Sequence, residues 1–225
     1  MLTVEQLGAI MPALPPAKRD TSMPFLVEAL REFAIDSPPR IAAFLAQLAH
    51  ESGQLRFMEE LWGPTPAQKR YEPVTTLATT LGNTDPGDGK RFKGRGPIQI
   101  TGRANYRRYG ALLAVDLEGQ PQLAARPELA FRIAGLFWSR NGLNELADEV
   151  TAEAFKKITK RINGGLNGLA DRERFYAMAC LTLAVSPGTS GRPRGGARSP
   201  RRRTAPERFE RGAEAIARAV RRRAR

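Results

Sequence analysis

One cysteine and one histidine stand among 225 residues, and each scarcity removes a class of chemistry. Cys180 has no second thiol to pair with, so no internal disulfide can form and folding needs no oxidising compartment. Within FYAMACLTLAV it reads as an inert core thiol. With His50 the one imidazole, a His-rich metal site is excluded, and Cys180 has no neighbouring ligand from which to build another. Neither a metal nor another cofactor is expected. No apolar run approaches the ~20 residues needed to cross a bilayer. The opening MLTVEQLGAIMPALPP has no basic n-region and no apolar h-region, so no secretory signal is expected and the protein reads as made and folded in the cytoplasm.

What is present is ordinary in bulk: 41% hydrophobic and 26% charged, enough for one substantial core and at most a small appendage. The net charge of +13 is unevenly spread. Residues 186–225 carry 13 arginines against Glu207, Glu210 and Glu214, whereas the other 185 residues carry 23 basic and 20 acidic groups. The chain therefore divides into a near-neutral domain, residues 1–185, and an Arg-rich tail, 186–225. Gly, Pro and Ser in 186–200 give the tail the composition of a flexible linker. Phe209, Ala213, Ile216 and Val220 beyond it fit one face of a short basic amphipathic helix. Such a tail suits contact with anionic envelope polymers. It can also bind nucleic acid without specificity, but the near-neutral main domain argues against a dedicated nucleic-acid partner.

Helical periodicity dominates residues 1–185. Thr3 and Gln6 have capping-box spacing ahead of Leu7 and Ile10. Ser22 is placed to cap a helix carrying Phe25, Leu26, Ala29 and Leu30, and Ser37-Pro38 to open one carrying Ile41, Phe44, Leu45 and Leu48. Further helices are expected over Pro127–Arg140, after Thr151 as far as Asn163, and from about Asp171 to Val185. Between Gly63 and Gly102 glycine and proline recur, and a long loop is expected, with a short hairpin around Arg91–Ile100.

Glu51 is the first candidate for chemistry. It follows Leu48 by three and Phe44 by seven, on the apolar stripe. A carboxyl on such a face is partly desolvated, which favours the neutral acid that glycoside cleavage needs to protonate a leaving oxygen. The alternative is a buried Glu paired with an Arg, or one reaching solvent from the helix end. Cleavage needs a second carboxylate, and Glu59, Glu60 and Glu72 are candidates. On one unbroken helix Glu60 would lie opposite Glu51; they share a cleft only if the chain breaks between them, and Ser52-Gly53 is the place for it. In Gly87–Tyr106, glycines permit close backbone approach while Gln99, Thr101, Asn105 and Tyr106 offer hydrogen-bonding groups suited to a sugar.

Three strings, AHESG (49–53), GRGPIQITGRANY (94–106) and INGGLNGLADRERFY (162–176), resemble the signature segments of glycoside hydrolase family 19, in the family's order and spacing. The resemblance spans about Phe44 to Thr182 and is nearest to the compact phage and prophage endolysins. It implies Glu51 as general acid, Glu60 as base and Thr101 as holder of the attacking water. It also implies sugar contacts at Gln99, Asn105 and Asn163, with His50 and Tyr106 beside them, and Arg172 supporting the site. The expected fold is mainly α, lysozyme-like and bilobal, with a central cleft between the Glu51 helix and residues 87–106. The expected activity is inverting hydrolysis of β-1,4 links next to N-acetylated sugars, by a monomer acting on the cell wall after release. Peptidoglycan is the preferred substrate and chitin the alternative; a non-catalytic glycan-binding module is the rival class.

Overall fold

The computed structural model describes residues 1–186, and the tail beyond Ser186, with its expected amphipathic helix, lies outside them. The regular structure of the described residues is helical: α1 (Val4–Ile10), α2 (Pro16–Glu32), α3 (Pro38–Glu51), α4 (Pro66–Lys69), α5 (Thr76–Leu81), α6 (Asp88–Arg91), α7 (Arg103–Leu113), α8 (Pro127–Arg140), α9 (Leu143–Ala147), α10 (Ala152–Asn163) and α11 (Leu169–Thr182), with a 3-10 turn at Pro121–Ala125.

At α3 the burial is continuous from Ile41 to Ala49. A helix apolar on every side must sit at the centre of a core, and its alanines let neighbours approach closely. It packs most extensively on α11, while Phe44 meets Trp138 of α8 edge-on at 5.2 Å. Around it α1, α2, α9 and α10 complete the larger lobe. A smaller cluster of Phe92, Ile100, Tyr106, Leu113 and Leu117 forms the second, joined to the first through Ile98 and Phe137.

The Thr3–Gln6 box caps α1, and Thr151 caps α10 by accepting from the Ala154 amide at 3.1 Å. Two expectations need correction. Ser22 lies inside α2, which starts at Pro16 and continues through Pro24. Burial of Leu26, Ala29 and Leu30 outweighs the missing Pro24 donor. Residues 63–102 are not simply a loop, because α4, α5 and α6 lie there. Helices of four to six residues carry too little periodicity to be seen in sequence. The hairpin reduces to isolated bridges, Arg95 with Ile100 and Arg95 with Glu59.

Side chains hold this stretch where a backbone ladder would otherwise do so. Asn83 donates to the Tyr71 carbonyl at 2.8 Å and accepts from the Arg103 amide at 2.9 Å. Arg103 grips Asp88 through Nε at 2.9 Å and Nη2 at 2.6 Å. Burial pushes the Asp88 carboxyl up, but the Arg103 guanidinium and the Asp85 and Thr84 amides outweigh it, so it is held below the usual carboxylate range.

Burial raises all four tyrosines of the chain, Tyr71, Tyr106, Tyr109 and Tyr176, with Tyr109 pushed up to about 12. A folded-state value above the unfolded ~10 favours the native state below pH 10, and that contribution is lost as pH rises toward the folded values. Alkaline titration followed by tyrosinate absorbance should therefore show no ionisation at pH 10–11 until the protein unfolds. Smooth titration near pH 10 with native circular dichroism would refute this.

Candidate active site

Glu51 is the last residue of α3. Its side chain is 14% exposed and accepts a hydrogen bond from the guanidinium of Arg172 on α11, which has no exposed surface. The pairing with an arginine, the alternative to a catalytic reading, is thus present. The arginine is also the one that the family resemblance assigns to the site. A buried relay stands behind it: Arg172 Nη1 donates to Gln47 Oε1 at 2.5 Å, and Gln47 Nε2 donates to Thr159 Oγ1 at 2.9 Å. One residue earlier on both helices, His50 Nδ1 lies 2.7 Å from Asp171 Oδ2. Burial pushes the Asp171 carboxyl up, but Arg174 and His50 more than offset it, leaving it lowered.

After Glu51 the chain breaks as the Ser52-Gly53 pair suggested. Ser52 caps α3, and Gly53, Gln54 and Leu55 all take left-handed backbone, φ 57°, 63° and 58°. The Gln54 amide returns to the Ala49 carbonyl at 2.7 Å, a Schellman-type closure. Side-chain bonds from Ser52 to the Leu48 carbonyl (2.6 Å) and from the Leu55 amide to Ser52 (2.7 Å) hold a turn that two non-glycine residues occupy at a cost. The chain then runs out of the α3 axis toward residues 94–96, to which the Glu60 amide bonds through the Gly94 carbonyl at 2.8 Å.

Glu59 and Glu60 have different neighbours. Glu59, 44% exposed, is drawn to Arg95 (2.9 Å) and Lys93 (3.3 Å). Glu60 accepts from the Gly94 amide at 3.0 Å and from Gln68 Nε2 at 2.9 Å. Glu72 is turned to the Gly87 amide at 2.8 Å. A Cβ added to Gly94 would meet Gln99 Oε1 at 2.6 Å, Thr101 Oγ1 at 3.3 Å and Glu60 Oε2 at 3.4 Å. Three expected site residues therefore converge on one backbone point that only glycine leaves open. The tightest contact is to the flexible end of Gln99, so Gly94→Ala should leave the melting temperature nearly unchanged. It should lower activity about 10–100-fold by displacing the three groups. Full activity in that variant would remove them from the chemistry.

Asn105 stands behind Thr101, donating to its carbonyl at 2.8 Å. Thr101 is 1% exposed and donates to the Gln99 carbonyl at 3.1 Å. Four of the expected site residues are packed into the fold rather than open to the cleft, and for Arg172 that is the supporting place the resemblance implies. Tyr106 is wholly buried, its hydroxyl donating to the Lys93 carbonyl at 2.6 Å and accepting from Arg95 at 2.8 Å. Asn163 is buried and reaches the carbonyls of Gly165 and Asn167. His50 is wedged against Gly168, where any Cβ would strike its ring. Arg172 is the fourth. Core packing claims these side chains, and sequence spacing carries no information on depth. Gln68 and Gln47 are site residues that the sequence reading missed. The Thr65–Gln68 capping-box spacing announces the cap but not its reach to Glu60. Gln47 lies four residues before Glu51, on the same face of α3.

A mainly helical domain with one carboxyl ending its central helix and a second on the neighbouring wall is a lysozyme-like architecture. The chain matches the family described as Chitinase class I, glycoside hydrolase family 19, over residues 35–152. It is 39% identical over 158 residues to an endochitinase of Arabidopsis thaliana, 67% of this chain against 50% of that one. Against a glycosyl hydrolase family 19 domain-containing protein of Haemophilus influenzae it is 37% identical over 164 residues, 63% against 78%. Chitinase C from Streptomyces griseus HUT6037 shares the fold, with a TM-score of 0.63 over 84% of this chain and 95% of that one at 21% identity. The chain belongs to glycoside hydrolase family 19. It spans about half the length of the plant endochitinases it matches.

Proposed function

We propose that the protein is an inverting glycosidase that cleaves β-1,4 links next to N-acetylated sugars, with peptidoglycan as its substrate. The observation that carries the reading is the convergence of Glu60, Gln99 and Thr101 on Gly94, with Glu51 held by the buried Arg172. Glu51 gives its proton to the glycosidic oxygen as the bond to the anomeric carbon breaks. Glu60 takes a proton from a water that attacks that carbon from the opposite face. The bonds from the Gly94 amide and Gln68 fix the base, and the Thr101 hydroxyl, its hydrogen directed at Gln99, has lone pairs with which to steady the water. Glu59, tied to Arg95 and Lys93, is less suited to this role.

Peptidoglycan is preferred because the signature strings at 49–53, 94–106 and 162–176 resemble those of the compact phage and prophage endolysins more than those of the plant enzymes. Chitin is the second reading, favoured by the names of those relatives. Assays of reducing-sugar release from purified peptidoglycan and from chitin oligomers, run side by side, separate the two. Release from peptidoglycan is the expected result. Release from chitin alone would reverse the order, and release from neither, with binding retained, would leave a glycan-binding module.

A further inference from the structure

Behind the wall that carries Glu60 lies an open cavity of about 360 Å³, lined by Glu59, Gly87, Lys90, Arg91, Lys93, Arg95 and Pro121. Successive residues of extended chain face opposite ways. The open side of Gly94 faces Glu60, Gln99 and Thr101, whereas Lys93 and Arg95 line the cavity and bond Glu59. The cavity is therefore on the reverse of the active-site wall. Four cationic side chains there confront one carboxylate. Neighbouring carboxylates are engaged elsewhere: Asp88 with Arg103, Glu118 with Arg103 and Arg107, and Glu72 with the Gly87 amide. Arg91 reaches the neutral carbonyls of Glu118 and Gly119, at 3.2 and 3.5 Å, and the face of the Phe92 ring, and Lys90 is exposed. Neither enters an ion pair among the described residues. Like charges gathered in a concave wall focus a positive field, which favours an anionic ligand.

We propose that this cavity is a second binding site, one for an oxyanion, a phosphate or carboxylate group borne by a larger ligand. The guanidinium fork of Arg91 matches either group, with Lys90 and Lys93 as point charges beside it, while Arg95, held by Glu59 and Tyr106, adds its charge from the wall. The site does not depend on which glycan the active site cleaves.

Inorganic phosphate and citrate, titrated separately into the isotope-labelled full-length protein at low salt, provide the test by amide chemical shifts. Saturable shifts at Gly87 and residues 90–95 are expected. Lys90→Glu and Arg91→Glu should each weaken binding about fivefold or more, and Glu59→Gln should tighten it. Lys90→Ala, a milder change at an exposed position, should weaken binding in the same direction with the remaining spectrum intact. Saturation by phosphate alone assigns a phosphate-bearing ligand, and saturation by citrate alone a carboxylate-bearing one. Shifts that never saturate, that are confined to the Arg-rich residues 187–225, or that survive both charge reversals would overturn the site. Weaker binding in Glu59→Gln would do so too.

Discussion

Glu51→Gln is expected to lower turnover about 10²–10⁴-fold while the protein stays folded. Glutamine keeps an oxygen to accept the Arg172 hydrogen bond seen at this position and takes away the carboxyl group that would give the proton. Substrate contacts are untouched, so the Michaelis constant should change little and the loss should fall on the catalytic constant. Glu60→Gln should cost a comparable factor, because the base acts in the same step, whereas Glu59→Gln should retain most activity. Sugar release by the three variants, each checked by circular dichroism, decides the assignment. Activity in Glu51→Gln within about threefold of wild type would end its role as acid, and collapse in Glu59→Gln alone would move the base one residue.

The second large effect is on stability. Arg172 has no exposed surface and bonds both Glu51 and Gln47. Removing one member of a buried pair strands the other, and Arg172→Met should cost about 3–5 kcal/mol. For a domain of this size that is a fall of roughly 6–20 °C in melting temperature. The double variant Glu51→Gln/Arg172→Met removes both charges and should recover part of the loss. A melting temperature within about 2 °C of wild type in Arg172→Met would mean that water or rearrangement replaces the guanidinium. The relay through Gln47 to Thr159 would then not be the anchor of Glu51.

The larger lobe was legible because its signals are local and repeated. Thr3 with Gln6, Thr151 with Ala154, and the Pro127–Arg140 stripe each mark an element whose pattern repeats over several residues. The helix α7 was missed because Gly102 and the polar Arg103–Arg108 stretch resemble loop, although burial of Tyr106, Tyr109 and Leu113 makes it a helix. The short α9 escaped for the same want of repeats. At the site, the break at Ser52-Gly53 was readable from a small residue and a glycine. The left-handed Gln54 and Leu55 were not, since neither residue type favours that conformation and tertiary bonds impose it. Depth was the least legible property. Tyr106 and Asn163 look in sequence like polar groups for a sugar, and only packing shows that they support the surface from below, as the resemblance implied for Arg172.

The proposed acid and the proposed base draw on different sources of order. Glu51 ends a helix buried in the larger core, so its position is tied to the global stability of the protein. Glu60, Gln99 and Thr101 are held by a wall stapled through Gln68, Asn83, Asp88 and Arg103, with a small apolar cluster of its own. Substitutions in that wall can reshape what the enzyme accepts with little risk to the fold as a whole. Sequence drift should thus collect first in residues 57–100 outside Glu60, Gly94 and Gln99, and specificity can diverge between relatives while the proposed acid, the proposed base and Arg172 stay fixed.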